Sequence, residues 1–495
     1  MNTFEDYLEK TEEIGYVREV KHAIAYVKGL PEAKPDEFLL FETGEQGQVI
    51  SLERKYLEVL MLTKSRVLVG TRVVRTNSEI KIGLGRALLG KTVNALGFDY
   101  YTNKPISKLD EFKSVDNRPP GINVRKNIHE SFEVGVTIVD LTVPLGKGQR
   151  ELVVGDRKSA KTQFLMQAIL SQASKGTICI YAGIAKRIFD LKKIEQFFKA
   201  KGIDRNTILV AASADDPTGL IYLAPYVAMS MAEYFRDQGL NVLVVLDDLT
   251  AHAKIYREIS LVAGRFPGRS SYPGDIFYLH SRLLERAGNF SVIVKGQDGK
   301  IVRSEASITC LPVAEAVMGD LSGYMQTNLM AMTDGHIYFD KDYFNQGRRP
   351  AINPFISVTR VGRQAQTPLL RDISRQLTSF LVRLESLKQF LHFGAELSEE
   401  TRNTLALGDK VIAFFEQSHD EIIPLSINIL LLSFLWAGYW KSEEVNEVKQ
   451  KMKQLIITYE QNEAYRNKVD NYIGNFQDFG AFVSAVKVDD SLMKI

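Results

Sequence analysis

Residues 155 to 162 read Gly-Asp-Arg-Lys-Ser-Ala-Lys-Thr. A phosphate-binding loop requires Gly, four residues, then Gly-Lys-Ser/Thr. Gly155, Lys161 and Thr162 stand in register, and Ala160 takes the place of the second glycine. Such a loop binds nucleotide. Its backbone N–H groups wrap the phosphates at a helix N-terminus, its lysine neutralises the β and γ phosphates, and its hydroxyl holds Mg²⁺. The glycine serves either a positive φ or a close backbone approach. If position 160 is left-handed, alanine costs about 1–2 kcal/mol there. Alanine keeps its N–H in either case, so Ala160 weakens the loop without abolishing it.

A second acidic element follows. Asn241–Leu246 is an apolar run that ends in Asp247 and Asp248. An aspartate at such a strand end orients Mg²⁺ or its water. Hydrolysis needs one group more, a carboxylate that orients the attacking water. In oligomeric ATPases of this architecture it follows the strand after the loop helix. That strand is read here as Thr177–Tyr181, followed by Ala182-Gly183-Ile184-Ala185-Lys186-Arg187. The segment offers two cations and no glutamate, and Asp190 falls inside the next helix. The expectation is a site that holds ATP or ADP with Mg²⁺ and does not turn it over alone.

The elements that position these residues fall into three textures. Residues 1–80 hold short β-branched stretches at Val17–Val20, Ala23–Val27, Phe38–Phe41, Gln48–Leu52 and Val67–Val74, punctuated by Gly and Pro. They predict a small closed β-barrel. Residues 81–363 alternate apolar strands (Glu151–Val154, Thr177–Tyr181, Thr207–Ala211, Val242–Leu246) with helical segments. That is an α/β RecA-like phosphate-loop core with a mainly parallel sheet, its loop helix starting near Lys161. Residues 364–495 lack strands and carry amphipathic patterns over Leu369–Phe393 and Glu443–Tyr472, which predict an α-helical bundle.

Composition narrows the classes. The 495 residues suffice for two or three domains. With 45% hydrophobic and 25% charged residues the protein reads as soluble and globular. A net charge of +2 recruits neither nucleic acid nor an anionic membrane. Cys179 and Cys310 lie in apolar runs and read as buried small hydrophobes of a reducing compartment. The polar, acidic N-terminus reads as free of a signal peptide. Ile422–Trp440 has no charged residue, but Pro424, Ser426, Asn428, Ser433 and Gly438 mark it as a buried bundle helix rather than a membrane span.

Longer motifs carry a resemblance. Val143–Asp156 (VPLGKGQRELVVGD), Tyr222–Tyr226 (YLAPY), Glu233–Asp237 (EYFRD), Tyr272–Arg286 (YPGDIFYLHSRLLER), Arg349–Asn353 (RPAIN) and Ser357–Gly362 (SVTRVG) resemble the α subunit of F-type ATP synthases over nearly the whole length. The resemblance implies a nucleotide-binding, non-hydrolysing subunit. It would alternate with catalytic β-type subunits in a hexamer around a γ-type shaft. It also implies that Arg360 acts in trans as an arginine finger on the neighbour's ATP. The nucleotide pocket it implies comprises Gly155, Asp156, Arg157, Lys158, Ser159, Ala160, Lys161, Thr162 and Gln163, with Phe344, Arg349, Pro350 and Gln417 beside the adenine and Thr162 and Asp247 on Mg²⁺. His419 stands for a second glutamine. By the same resemblance the complex is cytoplasmic, peripheral on the inner face of the cell membrane through other subunits, and binds no nucleic acid.

Departures accompany the matches. Lys158-Ser159-Ala160 replaces the family's Gln-Thr-Gly, Ala185-Lys186 replaces a longer Gly-Gln segment, Ala331 replaces a serine, and Thr359 replaces another. The N-terminal arm is shorter than usual. These features suggest a divergent paralogue of the kind mollicutes carry beside an ordinary synthase, with coupling to a proton rotor in doubt. Three alternatives stay open: a self-sufficient homohexameric secretion-type ATPase, a nucleic-acid motor of the transcription-termination type, and a scaffold that has lost nucleotide binding. An acidic Met1–Glu13 argues against the second.

Overall fold

A computed structural model describes residues 3–65, 67–295, 301–391, 398–489 and 492–493. They divide into two compact units. One comprises 1–126, 176–315 and 321–333, and the other 127–175, 316–320 and 334–495.

The first unit opens with a closed six-stranded barrel: Gly15–Lys21, Ile24–Lys28, Glu37–Phe41, Gln46–Leu52, Leu57–Met61 and Arg72–Glu79. Inward residues Val17, Ala25, Val27, Leu39, Phe41, Val49, Val59 and Val73 fill it. The fifth strand has no counterpart among the stretches read from the sequence. Leu57–Met61 is buried throughout, because Leu60 packs outward against Ile24, Tyr26 and Ile259 while Val59 faces inward. A strand covered on both faces shows no alternation. The sixth strand begins at Arg72 rather than Val67, and Leu68 and Val69 lie exposed ahead of it.

The rest of this unit is built on a parallel sheet. Its strands run in the order Ile301–Glu315, Val242–Asp247, Ile178–Lys186, Thr207–Ser213 and Thr92–Val93. Gly288–Lys295 pairs antiparallel with Ile301–Glu315 and in turn with Arg125–Lys126. The helices Ile188–Ala200 and Thr218–Asp237 are the crossovers that parallel pairing requires. The strand read as ending at Tyr181 runs on to Lys186. Cys179 and Cys310 are buried on strands that flank Val242–Asp247 on either side, and they form no disulfide.

In the second unit Glu151–Gly155 pairs in parallel with Gly335–Phe339, which pairs antiparallel with Val358–Thr359. The loop helix covers Lys161–Ser174. The helices Pro368–Leu391, Glu399–Phe415, Leu425–Ala437, Val445–Gln461, Glu463–Gly474 and Phe479–Val488 form the C-terminal bundle. The pattern over Glu443–Tyr472 resolves into two helices, broken at Asn462, whose carboxamide caps the second by accepting from Tyr465 N. The uncharged stretch is the buried helix Leu425–Ala437, closed by left-handed Gly438. Its polar groups are satisfied within the unit: Thr137 donates to Asn428 at 3.1 Å and Ser433 to Leu430 O at 2.6 Å. Among the described residues no helix is long and apolar enough to cross a membrane.

Candidate nucleotide site and arginine site

The loop grows from a strand whose last residue must be glycine. A Cβ on Gly155 would stand 2.5 Å from the Phe339 carbonyl oxygen of the paired strand. Beyond it Ser159 Oγ donates to Asp156 O at 2.7 Å, and Asp156 Oδ1 accepts from Gly319 N at 2.9 Å. Lys161 Nζ donates to the carbonyls of Gly155 and Asp156 at 2.7 and 2.6 Å. Ala160 is left-handed at φ 70°, ψ 18°, and Lys158 also has positive φ, 61°. The second-glycine position is therefore one that needs positive φ. The helix starts at Lys161 without a side-chain cap. Such an N-terminus suits an anion. Arg157, Lys158 and Thr162 are exposed around it.

Ala160 and Gln163 also reach a cleft of about 540 Å³, a size that suits a small-molecule ligand. Arg349, Pro350, Gln417 and His419 line it as well. Phe344 does not. It lies behind Arg349, whose guanidinium carbon sits 3.6 Å from its ring centroid. Gln417 is a wall residue whose amide is already engaged. Its Oε1 accepts from Thr137 N at 3.2 Å, and its Nε2 donates to Gly135 O and Glu421 O at 2.7 and 2.8 Å.

Other wall residues escaped the sequence reading. Gln167 is buried and donates to Ser418 O and Glu421 O, each at 2.9 Å. Lys449, Met452, Lys453 and Ile456 form another wall. Their spacing is that of one helix face. The period was visible in the sequence, but what that face meets was not.

Arg360 lies elsewhere in the same unit, just beyond the strand Val358–Thr359. Its backbone is pinned. Its N–H donates to Asp334 O at 3.0 Å. Thr359 Oγ1 donates to Pro144 O at 2.9 Å and accepts from Gly362 N at 3.1 Å. Asp334 in turn holds the Arg150 guanidinium at 2.8 and 3.1 Å. The Arg360 side chain is exposed, and its guanidinium makes no hydrogen bond or ion pair among the described residues. Glu151 is buried nearby. Desolvation pushes its carboxyl well above the ordinary carboxylate range, against the Gln149 hydrogen bond and the pull of Arg360.

The first unit holds the acidic strand end. Asp247 is buried, and both its oxygens are engaged. Lys186 Nζ sits 2.6 Å from Oδ1, and the Tyr181 hydroxyl donates to Oδ2. Burial works against the Lys186 ammonium, but the charges of Asp247 and Asp248 outweigh it and raise its pKa. Asp248 caps the helix Leu249–Val262 by accepting from Ala251 N at 2.5 Å, and burial pushes its carboxyl up to about 6. Asp190 is engaged by Arg187 at 2.8 Å in the first turn of the following helix. The end of the strand Ile178–Lys186 thus presents a lysine ammonium to Asp247.

Comparison with known proteins gives this geometry its context. Residues 135–359 match the model of the ATP synthase alpha/beta family nucleotide-binding domain, and residues 366–476 match the model of the C-terminal domain of ATP synthase alpha/beta chains. The protein belongs to the ATP synthase alpha/beta family. Within the family it is similar to the ATP synthase subunit alpha of Carsonella ruddii (strain PV), with 34% identity over 457 residues, 92% of this sequence and 94% of that one. The barrel, the nucleotide-binding core and the helical C-terminal region are the architecture expected of an ATP synthase alpha/beta subunit. Family members bind nucleotide with Mg²⁺. Of the two residues expected on the metal, Thr162 is exposed, whereas each carboxylate oxygen of Asp247 already has a protein partner.

Proposed function

We propose that this protein is the α-type, nucleotide-holding and non-hydrolysing subunit of an F-type-like rotary ATPase hexamer, and that Arg360 completes the catalytic site of a neighbouring β-type subunit. The observation that carries the reading is Arg360 itself. Its backbone is fixed by Asp334, while its guanidinium is exposed and unpaired among the described residues. A structural arginine is paired. A finger must be rigid at its base and open at its tip. A guanidinium placed on a transferring phosphoryl group is worth about 10³–10⁵ in rate.

The protein's own loop holds nucleotide through the backbone from Gly155 to Ala160, with Lys161 on the phosphates and the adenine in the cleft of Arg349, Pro350 and Gln417. Mg²⁺ accompanying the nucleotide would be held by Thr162. Ala185 and Lys186 supply no group to activate water. The partners are a β-type subunit and a γ-type shaft. The complex hydrolyses or makes ATP at the cytoplasmic face of the membrane, which it meets through other subunits. The departures at Lys158–Ala160 and Ala185–Lys186 favour a divergent paralogue. The test is ATP turnover by the purified protein alone and with its β-type partner. Turnover is expected only with the partner. Turnover by the protein alone would establish a self-sufficient ATPase instead.

A further inference from the structure

The strand Ile178–Lys186 carries a bulge at its end. Its register against Thr207–Ser213 slips between Ile184 and Lys186, and the extra residue, Ala185, is left-handed at φ 53°. In a regular strand residues 181, 183 and 185 share one face. The bulge inserts Ala185 and turns Lys186 onto that face instead. The surroundings of Gly183 agree. A Cβ there would stand 3.6 Å from the Tyr181 ring and 3.7 Å from Lys186 Cγ. Gly183 is also the register partner of Asp247. Leu191 Cδ2 packs onto Gly183 at the place a Cβ would take, and Tyr181 and Lys186 flank the same face and close on the two oxygens of the Asp247 carboxylate.

We propose that Lys186 is the resident cation of this acidic strand end and stands in for the divalent metal that Asp247 would otherwise orient. A carboxylate binds a hard divalent cation through free oxygen lone pairs, directly or through water. Here one oxygen faces an ammonium and the other accepts a phenolic proton. A divalent cation at Asp247 would have to displace Lys186 or share the carboxylate with its positive charge. Asp248 is partly committed as well, since its Oδ1 caps the following helix. The inference rests on reading Asp247 as the strand-end aspartate of the nucleotide site.

The test is a Mn²⁺ titration of the full-length, nucleotide-free protein, read by electron paramagnetic resonance. Asp247→Asn is expected to leave Mn²⁺ affinity within twofold of wild type. Lys186→Met is expected to tighten it tenfold or more, and the double variant to lose that gain. Tenfold weaker Mn²⁺ binding by Asp247→Asn, or no gain in Lys186→Met, would overturn the proposal. A measurement on the unsubstituted protein guards against misfolded variants. Amine modification of Lys186, read by peptide mass spectrometry, should stay equally slow as Mg²⁺ rises to millimolar concentration. A tenfold acceleration would show that metal evicts the lysine. ATP binding is assayed separately. Its absence with an undisturbed Lys186 would sink the nucleotide-holding reading and leave this one standing.

Discussion

The backbone N–H of Arg360 donates to the carbonyl of Asp334 at 3.0 Å, and the carboxylate of the same Asp334 clamps Arg150 at 2.8 Å. One aspartate thus ties the base of an exposed arginine to the strand that leads into the phosphate loop, which begins at Glu151. Asp334→Ala removes the clamp and keeps the carbonyl. Lost hydrogen bonds to a charged partner should cost about 1–3 kcal/mol of stability. A displaced finger should lower the kcat of the assembled complex by about 10–100-fold with KM little changed. Denaturant unfolding and steady-state kinetics check the two effects separately.

Ala160 is left-handed without being glycine. Glycine relieves about 1–2 kcal/mol of that strain and returns about 0.4–1 kcal/mol through a freer unfolded state. Ala160→Gly should therefore stabilise by up to about 1.5 kcal/mol, the difference of those two terms, read as a raised denaturant midpoint. Nucleotide affinity should hold or improve, because the N–H at position 160 is unchanged.

Lys161 is the ammonium expected on the phosphates. Lys161→Ala should weaken ATP binding about 10–100-fold, the worth of hydrogen bonds to a charged group. Equilibrium binding in the assembled complex reads this, with Lys158→Ala for comparison. Binding unaffected by Lys161→Ala would favour a scaffold that no longer uses the loop.

His252 and His280 form a fully buried pair, Nδ1 to Nε2 at 3.0 Å, with His252 Nε2 2.9 Å from Tyr222 O. Burial lowers the His252 pKa from 6.5 to about 4, and lowers that of His280 well below its ordinary value. The folded protein therefore binds fewer protons than the unfolded one. The stability these neutral rings support is complete above pH 6.5 and is lost as pH falls toward 4. The shift at His252 corresponds to about 3 kcal/mol across that window. Unfolding measured from about pH 7.5 to 4 in wild type and His252→Leu should give a difference profile that rises with pH. A flat profile would show that His252 is not the group concerned.

The loop, the strand that ends in Asp247 and the three textures were legible because each rests on local pattern. Gly-x₄-Ala-Lys-Thr fixes a backbone trajectory, and alternation fixes a barrel face. Leu57–Met61 was not legible, since a strand buried on both faces has no period to read. Nor was the seat of Lys186. The sequence shows a lysine after an apolar run, and only the bulge at Ala185 determines which face it takes. The resemblance put Gln417 beside the adenine, and it does line the cleft. That its amide is bound to Thr137, Gly135 and Glu421 depends largely on contacts between residues far apart in sequence. Thr359 is a similar case: it anchors the turn after Val358 through Pro144, a contact no motif encodes.

The central claim is that Arg360 works in the neighbour's site, and single-turnover ATP hydrolysis by the assembled complex tests it most directly. With Arg360→Ala, and with Arg360→Lys as the charge-preserving control, the rate of the chemical step is expected to fall by about 10³–10⁵ and by nearly as much, because a lysine lacks the planar fork. ATP affinity at the protein's own loop should be unchanged. A chemical step within tenfold of wild type in the Arg360→Ala complex would contradict the account.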